Sequence, residues 1–72
     1  MVRGKFNVIK IARLAWGGSE VTLSAVPADE LPENQRYHKY TPSGELKMTI
    51  DNPPAEEFFE LGKSYYLDFT PA

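Results

Sequence analysis

The sequence predicts a mainly β fold, because stretches in which apolar and polar residues alternate recur along most of the chain. In the stretch SEVTLSAV, Val21 and Leu23 alternate with polar residues, and Gly17 and Gly18 come shortly before them. Two alternating stretches joined by two glycines are typical of a β-hairpin. With 72 residues, the chain is expected to form a single domain, 1–72.

The first predicted strand runs over residues 5–16 and contains a change of phase. Phe6 and Val8 share one face, whereas Ile9 and Ile11 have the opposite parity. Because a slip of one residue exchanges the two faces of a strand, we expect a β-bulge or a strong bend between Val8 and Ile9.

A second hairpin is predicted over residues 36–51. The segment RYHKY, residues 36–40, is interpreted as a strand, and the turn TPSG separates it from the alternating strand ELKMTID. The preceding residues, 27–35, contain two prolines and no periodic pattern, which predicts a loop.

One short helix is predicted near residues 53–61. Asn52 can cap its start, prolines are tolerated in its first turn, and Gly62 is a suitable residue just beyond its end. The segment KSYYLDFT then alternates again and predicts the last strand, which Pro71 ends.

The element order β-β-β-β-α-β predicts a small five-stranded barrel. A helical turn between the fourth and fifth strands matches SH3-like barrels. An OB-like barrel is the alternative, because OB-folds usually place their helix between the third and fourth strands. The predicted core consists of the apolar side chains that point inward in this arrangement: Phe6, Val8, Leu14, Val21, Leu23, Leu46, Met48, Ile50, Phe58, Tyr65, Leu67 and Phe69.

The charge is unevenly distributed along the chain. The net charge of −2 disfavours a general polyanion-binding protein. The first 18 residues nevertheless contain no acid and four cations: Arg3, Lys5, Lys10 and Arg13. An anion site, a self-complementary subunit interface and an ordinary solvated strand face all remain open. The chain has no cysteine, and because small domains without disulfides often gain burial by oligomerising, a homo-oligomer is an alternative to a monomer.

The sequence offers little for catalysis or metal binding. His38 is the single histidine, and nothing beside it suggests an activated nucleophile or an orienting carboxylate. The acidic residues within 29–33 and 56–60 lie in a polar loop and on a short helix, without the spacing of a calcium loop. We therefore expect no enzyme activity, no metal and no cofactor.

The location of the protein is predicted from its apolar runs. None approaches the roughly 20 residues that a membrane span requires. The first residues lack the apolar stretch of a signal peptide. We expect no membrane partner and a cytoplasmic location.

Binding is the kind of function that the composition favours. Small barrels bind nucleotides or single-stranded nucleic acid by stacking bases on strand aromatics beside cations. Interfaces with proteins use the same Tyr, Trp and Arg side chains as anchors. The alternative interpretation is that the rings pack within the fold, since tyrosine is common in strands for packing alone. The candidate ligand-binding residues are Arg13, Trp16, Arg36, Tyr37, His38, Lys39 and Tyr40.

The segments IARLAWGGSEVTLSAV, PENQRYHKYTPSGE and NPPAEEFFELGKSYYLDFTP cover most of the chain. Their pattern, TPSGE followed by NPxAxxFxxGKxYYxDFTP, resembles that of a group of short proteins encoded in tailed-phage and prophage genomes. Where that group usually has PGK, this chain has Leu61, Gly62 and Lys63. The resemblance implies a phage setting, and hence the host cytoplasm, more than it implies an activity.

Together these observations predict a non-enzymatic, phage-type accessory protein that acts by binding. It would sequester a nucleotide-like ligand or mask a host protein. One alternative is a single-stranded nucleic-acid-binding protein, which the modest acidity disfavours because such binding is electrostatic. Another alternative is a structural or assembly component of the virion.

Overall fold

The computed structural model describes residues 1–72 and contains one four-stranded antiparallel sheet with two short helices. The strands are β1 (Val2–Arg13), β2 (Ser19–Ala25), β3 (Glu45–Ile50) and β4 (Ser64–Phe69). Helix α1 (Pro32–Tyr40) lies between β2 and β3 in the sequence, and helix α2 (Pro53–Phe58) lies between β3 and β4. The spatial order of the strands is β3-β2-β1-β4, so that β3 and β4 are the edges of the sheet. The mainly β prediction is confirmed.

The two central strands form the predicted hairpin. Gly17 and Gly18 in its turn have φ angles of 102° and 82°, in the left-handed region that glycine adopts without steric cost. The register of β1 against β2 shifts between Val8 and Lys10, which confirms the expected bulge. As a result, Ile11 lies opposite Val21, and the apolar side chains before and after the bulge stay on the same side of the sheet.

The hydrophobic core lies on one side of this sheet, which we call the apolar face. Its buried centre consists of Phe6, Val8, Val21 and Leu23. Half-buried side chains from β2, β3 and β4 surround that centre, together with Phe59, which follows α2. The opposite side, which we call the polar face, carries the charged strand residues and packs against α1, since Lys5 there donates hydrogen bonds to helix side chains.

The prediction of a strand at residues 36–40 is wrong, because those residues belong to α1. Pro32 stands in the first helical turn, where its missing N–H costs nothing. Glu33 lies near the positive end of the helix dipole, and His38 and Lys39 lie near its negative end. These four residues favour the helix, whereas a strand would have left the same side chains without those interactions.

The loss of that strand changes the architecture. Four strands form a single open sheet, in which β3 and β4 do not pair with each other, so the structure does not show the predicted closed SH3-like or OB-like barrel of five strands. Helix α2 is where the sequence predicts it but ends early, because Phe59 adopts extended backbone. Phe58, which we expected in the core, is 63% exposed.

Candidate functional site

The predicted binding residues lie in two separate places. Residues 36–40 are on α1, which packs against the beginning of β1 near Lys5. Arg13 and Trp16 are at the turn between β1 and β2. Lys5 and Arg13 are eight residues apart on one strand, a distance of roughly 25 Å at a rise of about 3.3 Å per residue. The structure therefore does not bring the predicted residues together into one site.

The α1 group is built around an ion pair between the helix and the sheet. Lys5 Nζ donates to Glu33 Oε2 at 2.7 Å and to Asn34 Oδ1 at 2.6 Å. The Tyr66 hydroxyl donates to the other carboxylate oxygen of Glu33 at 2.6 Å. Asn34 Nδ2 in turn donates to Asp29 at 2.8 Å, so that the loop before α1 joins the same network.

A second ion pair and two stacked guanidinium groups extend this network. Arg3 donates two hydrogen bonds to Asp68, at 2.6 and 2.9 Å. Its guanidinium also lies over the Tyr66 ring, 5.1 Å from the ring centroid, and Arg36 lies over the Tyr37 ring at 5.6 Å. The cations Arg3 and Lys5 are thus already paired, and the rings of Tyr37 and Tyr66 already contact each other and a guanidinium. This arrangement attaches α1 to the sheet rather than leaving a site for a phosphate and a base.

The pKa values of the carboxyl groups reflect these contacts. The hydrogen bond from Lys5, followed by that from Tyr66, lowers the pKa of Glu33 below its ordinary value. Hydrogen bonds from Arg3 lower the pKa of Asp68, and those from Asn34 and then from the Leu31 N–H lower the pKa of Asp29. In each case the folded chain favours the charged carboxylate.

Stability should therefore fall in acid. A lowered carboxyl pKa contributes stability above the unfolded pKa of about 4, and that contribution is lost as the pH falls through the lower pKa of the folded state. We expect Glu33→Gln to reduce the drop in melting temperature between about pH 7 and about pH 3. Glu30→Gln is the matched control, since Glu30 makes no side-chain hydrogen bond or ion pair. Equal acid dependence of both variants would contradict this role of Glu33.

His38, Lys39 and Tyr40 complete the first group. The His38 Nδ1 atom is buried without a hydrogen-bond partner, so no carboxylate orients the ring through it. Lys39 and Tyr40 point outward, and Tyr40 is 75% exposed. No cluster of three or more His, Asp or Glu side chains has the arrangement of a metal site.

The second group lies where β1 extends beyond its neighbour. Pairing of β1 with β4 ends at Asn7, and the last backbone bonds on that side join Val8 to Lys63 and Gly62, both at 2.9 Å. Ile9 is the extra residue of the bulge, and residues 10–13 then pair with β2 alone. We call residues 9–13 the open edge, because their backbone has no partner on the side away from β2.

The side chains of the open edge are apolar and basic. Ile9 is 53% exposed and Ile11 is 38% exposed. Lys10 makes no ion pair, and the Arg13 side chain is 87% exposed with a single weak contact of 3.8 Å to Glu56. Beyond the strand end, the Trp16 side chain is 83% exposed. Sequence reasoning found the cations and Trp16 but missed the two isoleucines, whose phase change had indicated a bulge instead of an exposed edge.

An open cavity of about 360 Å³ lies beside the open edge, between β1, β2 and α2. Glu56 closes one side of it by accepting a hydrogen bond of 2.8 Å from Ser19 Oγ, which also holds α2 on the sheet. The cavity is lined by Ile11, Arg13, Gly18, Ser19, Pro53, Glu56, Glu57 and Phe59. Only Ile11 and Phe59 of these are hydrophobic, so a side chain entering from the open edge would meet mixed apolar, charged and small polar groups.

Comparisons with protein-family models, with curated proteins and with solved structures find no match to this chain. Neither helix has the length and apolar character that crossing a membrane requires. The fold and the geometry of its surfaces are therefore the basis for a functional assignment.

Proposed function

We propose that this chain is a non-enzymatic binding protein that recognises an extended segment of a partner protein along the open edge. The observation that supports this most is the unpaired backbone of residues 9–13. Here β1 continues as a strand beyond its last pair with β4, which joins Asn7 to Ser64. Unpaired N–H and C=O groups in a strand are a template for an added strand. The added strand would extend the sheet next to β1, in the place that β4 leaves empty.

The side chains of the open edge define the chemistry of the partner. Ile9 and Ile11 offer apolar contacts, and Lys10 and Arg13 offer positive charge. Lys10 lies on the polar face, whereas Ile11 and Arg13 lie on the apolar face. Because alternate side chains of an added strand lie on opposite faces, a segment that alternates apolar and acidic residues can place acids beside Lys10 and apolar side chains beside Ile11. Trp16, beside the strand end, is the type of side chain that anchors an interface.

A phage-type accessory protein in a host cytoplasm fits this mode of action. Masking a host protein requires occupancy of a surface and no chemistry, and one short edge with a matched charge pattern provides it. A virion or assembly component would use the same kind of edge contact between neighbouring subunits.

A nucleotide-like ligand has less support, because Arg3 and Lys5 are paired with carboxylates and Arg36 stacks on Tyr37. Single-stranded nucleic acid has less support as well, since the cations form no continuous groove.

Fluorescence anisotropy with a short labelled peptide tests the proposal. The probe is a peptide of about eight residues that alternates valine and glutamate, which matches the length of a typical strand. We expect it to bind, and we expect Lys10→Glu combined with Arg13→Glu to weaken binding by roughly tenfold through loss of charge complementarity. Lys39→Glu is the matched control, because Lys39 is an exposed cation on α1, away from the open edge.

A second peptide separates strand addition from simple charge attraction. Methylation of alternate backbone nitrogens removes the N–H groups that an added strand donates, while the charges of the side chains stay the same. The methylated peptide should not bind. Equal binding of both peptides, or equal weakening by Lys39→Glu, would contradict recognition at the open edge.

A further inference from the structure

A second surface of the molecule is the uncovered part of the apolar face. Helix α2 and Phe59 cover the face where β1 ends and β2 begins, as the bond between Ser19 and Glu56 shows. Toward the start of β1 the face is open: Val2 is 67% exposed, and Phe69, its partner in the register, is 59% exposed.

An apolar groove of about 190 Å³ lies on the same face, where Phe58 and Phe59 meet the sheet. Every residue that lines it is hydrophobic, and the groove reaches from the edge strand β3 to the edge strand β4. The lining residues are Leu23, Leu46, Met48, Phe58, Phe59, Tyr65, Tyr66 and Leu67. Of these, Tyr66 has its side chain on the polar face, where it bonds to Glu33. Most of the lining residues are buried or half-buried, but Phe58 is 63% exposed, as Val2 and Phe69 are on the open part of the face. Exposed apolar side chains gathered on one face mark an interaction site on a folded protein.

The small amount of burial favours an occupant that adds to the stability of the folded chain. Only five hydrophobic residues are buried: Phe6, Val8, Val21, Leu23 and Val26. Domains of this length without disulfides have little stability from their own core and often gain the rest by associating. A second copy of the chain is the partner that is always synthesised alongside it.

The surface is also complementary to itself. A symmetric dimer places the same patch of both copies in contact, so that charges in the patch would meet like charges. The groove lining contains no charged side chain, and the net charge of −2 is carried elsewhere. A standard interface would bury about 800 Å² on each copy. That is a minor part of the 5292 Å² of accessible surface that one chain has, so both the open edge and the polar face can stay free.

We propose that two copies of this chain pack their apolar faces against each other as a two-layer β-sandwich. Sheets that pack face to face lie about 10 Å apart and interlock their side chains. Phe58 and Phe69, which are largely exposed in one copy, become buried against the groove of the other. The open edge and its cations lie toward the opposite end of β1 from Val2 and Phe69, so dimer formation and peptide binding are independent.

Sedimentation velocity of the full-length chain at several concentrations tests this inference. We expect a dimer at tens of micromolar, and Phe69→Lys should weaken dimerisation at least tenfold by placing a charge in the apolar interface. Tyr40→Lys is the matched control, because Tyr40 is an aromatic that is 75% exposed on α1. The proposal is overturned if the folded wild-type chain stays monomeric, which is the result expected if the groove binds a different protein. It is also overturned if the Phe69→Lys variant is folded and still dimeric.

A measurement on the wild-type chain covers the case in which Phe69→Lys does not fold. Isotope-filtered NOEs in a mixture of labelled and unlabelled chains report contacts between copies only. We expect such NOEs from the methyl groups of Leu46, Met48 and Leu67, which line the groove. A dimer without them, or with NOEs from Ile9 and Ile11 instead, would show that the copies meet at a different surface.

Discussion

Gly18→Ala should destabilise the fold by about 3 kcal/mol, since it adds a steric clash to an unfavourable backbone conformation. The φ angle of Gly18 is 82°, in a region that residues with a side chain rarely adopt. A Cβ atom at this position would lie 2.8 Å from the carbonyl oxygen of Ile50, and that oxygen belongs to the backbone of β3. Because backbone cannot rotate away as a side chain does, either the hairpin turn or the end of β3 must shift.

Gly17→Ala separates the two contributions. Gly17 has a φ angle of 102°, and no atom lies within 4 Å of the position that its Cβ would occupy. This variant should therefore cost only the conformational part, about 1 kcal/mol. Urea denaturation of both variants at one protein concentration measures the difference, and equal losses would show that the contact with Ile50 does not matter.

Leu23→Ala should have an effect of similar size, about 3 kcal/mol, for a different reason. Leu23 is 3% exposed and lies in the central strand β2, directly between Val8 on β1 and Leu46 on β3. Removal of its side chain leaves a cavity at the middle of a core with few buried residues. For a small domain, such a loss is a large fraction of the total free energy of unfolding.

Leu61→Ala is the control for this substitution. Leu61 is 67% exposed in the connection between α2 and β4, so that its truncation should change the free energy of unfolding by less than about 0.5 kcal/mol. Thermal melts at a fixed protein concentration make the comparison valid when the chain associates. A Leu23→Ala variant as stable as Leu61→Ala would mean that Leu23 is not at the centre of the core.

The elements with strong local signals could be predicted from the sequence. The glycine pair defines the hairpin of β1 and β2, and the change of parity at Ile9 marks the bulge. The alternation in ELKMTID and KSYYLDFT gives β3 and β4, because one face of each strand packs on the core and the other does not.

Helix α1 could not be predicted from local sequence signals as these strands could. Its nine residues are too few to be helical alone, so that contacts with the sheet determine its structure. The decisive contacts join Glu33 and Asn34 to Lys5, which is 28 or 29 residues away in the chain. The proline at the start and the basic residues at the end were local signals for a helix, but the alternation in RYHKY obscured them.

The functional surfaces depend on the same long-range contacts. The basic character of the first 18 residues is visible in the sequence, yet two of the four cations, Arg3 and Lys5, are paired with acids from distant segments. Only the strand order shows that Lys10 and Arg13 lie on an unpaired edge. The position of that edge depends on where β4 begins, at Ser64, and no local pattern in β1 indicates this.

NMR of the uniformly labelled chain tests most directly whether residues 32–40 form a helix on the polar face of an open sheet. We expect helical NOEs along residues 33–40 and cross-strand NOEs that join Gly4 to Leu67 and Val21 to Met48. Amides on the outer side of residues 9–13 should exchange rapidly with solvent. Cross-strand NOEs between residues 36–40 and 45–50 would instead establish the second hairpin, and neither the open edge nor the apolar groove would then exist in the form described.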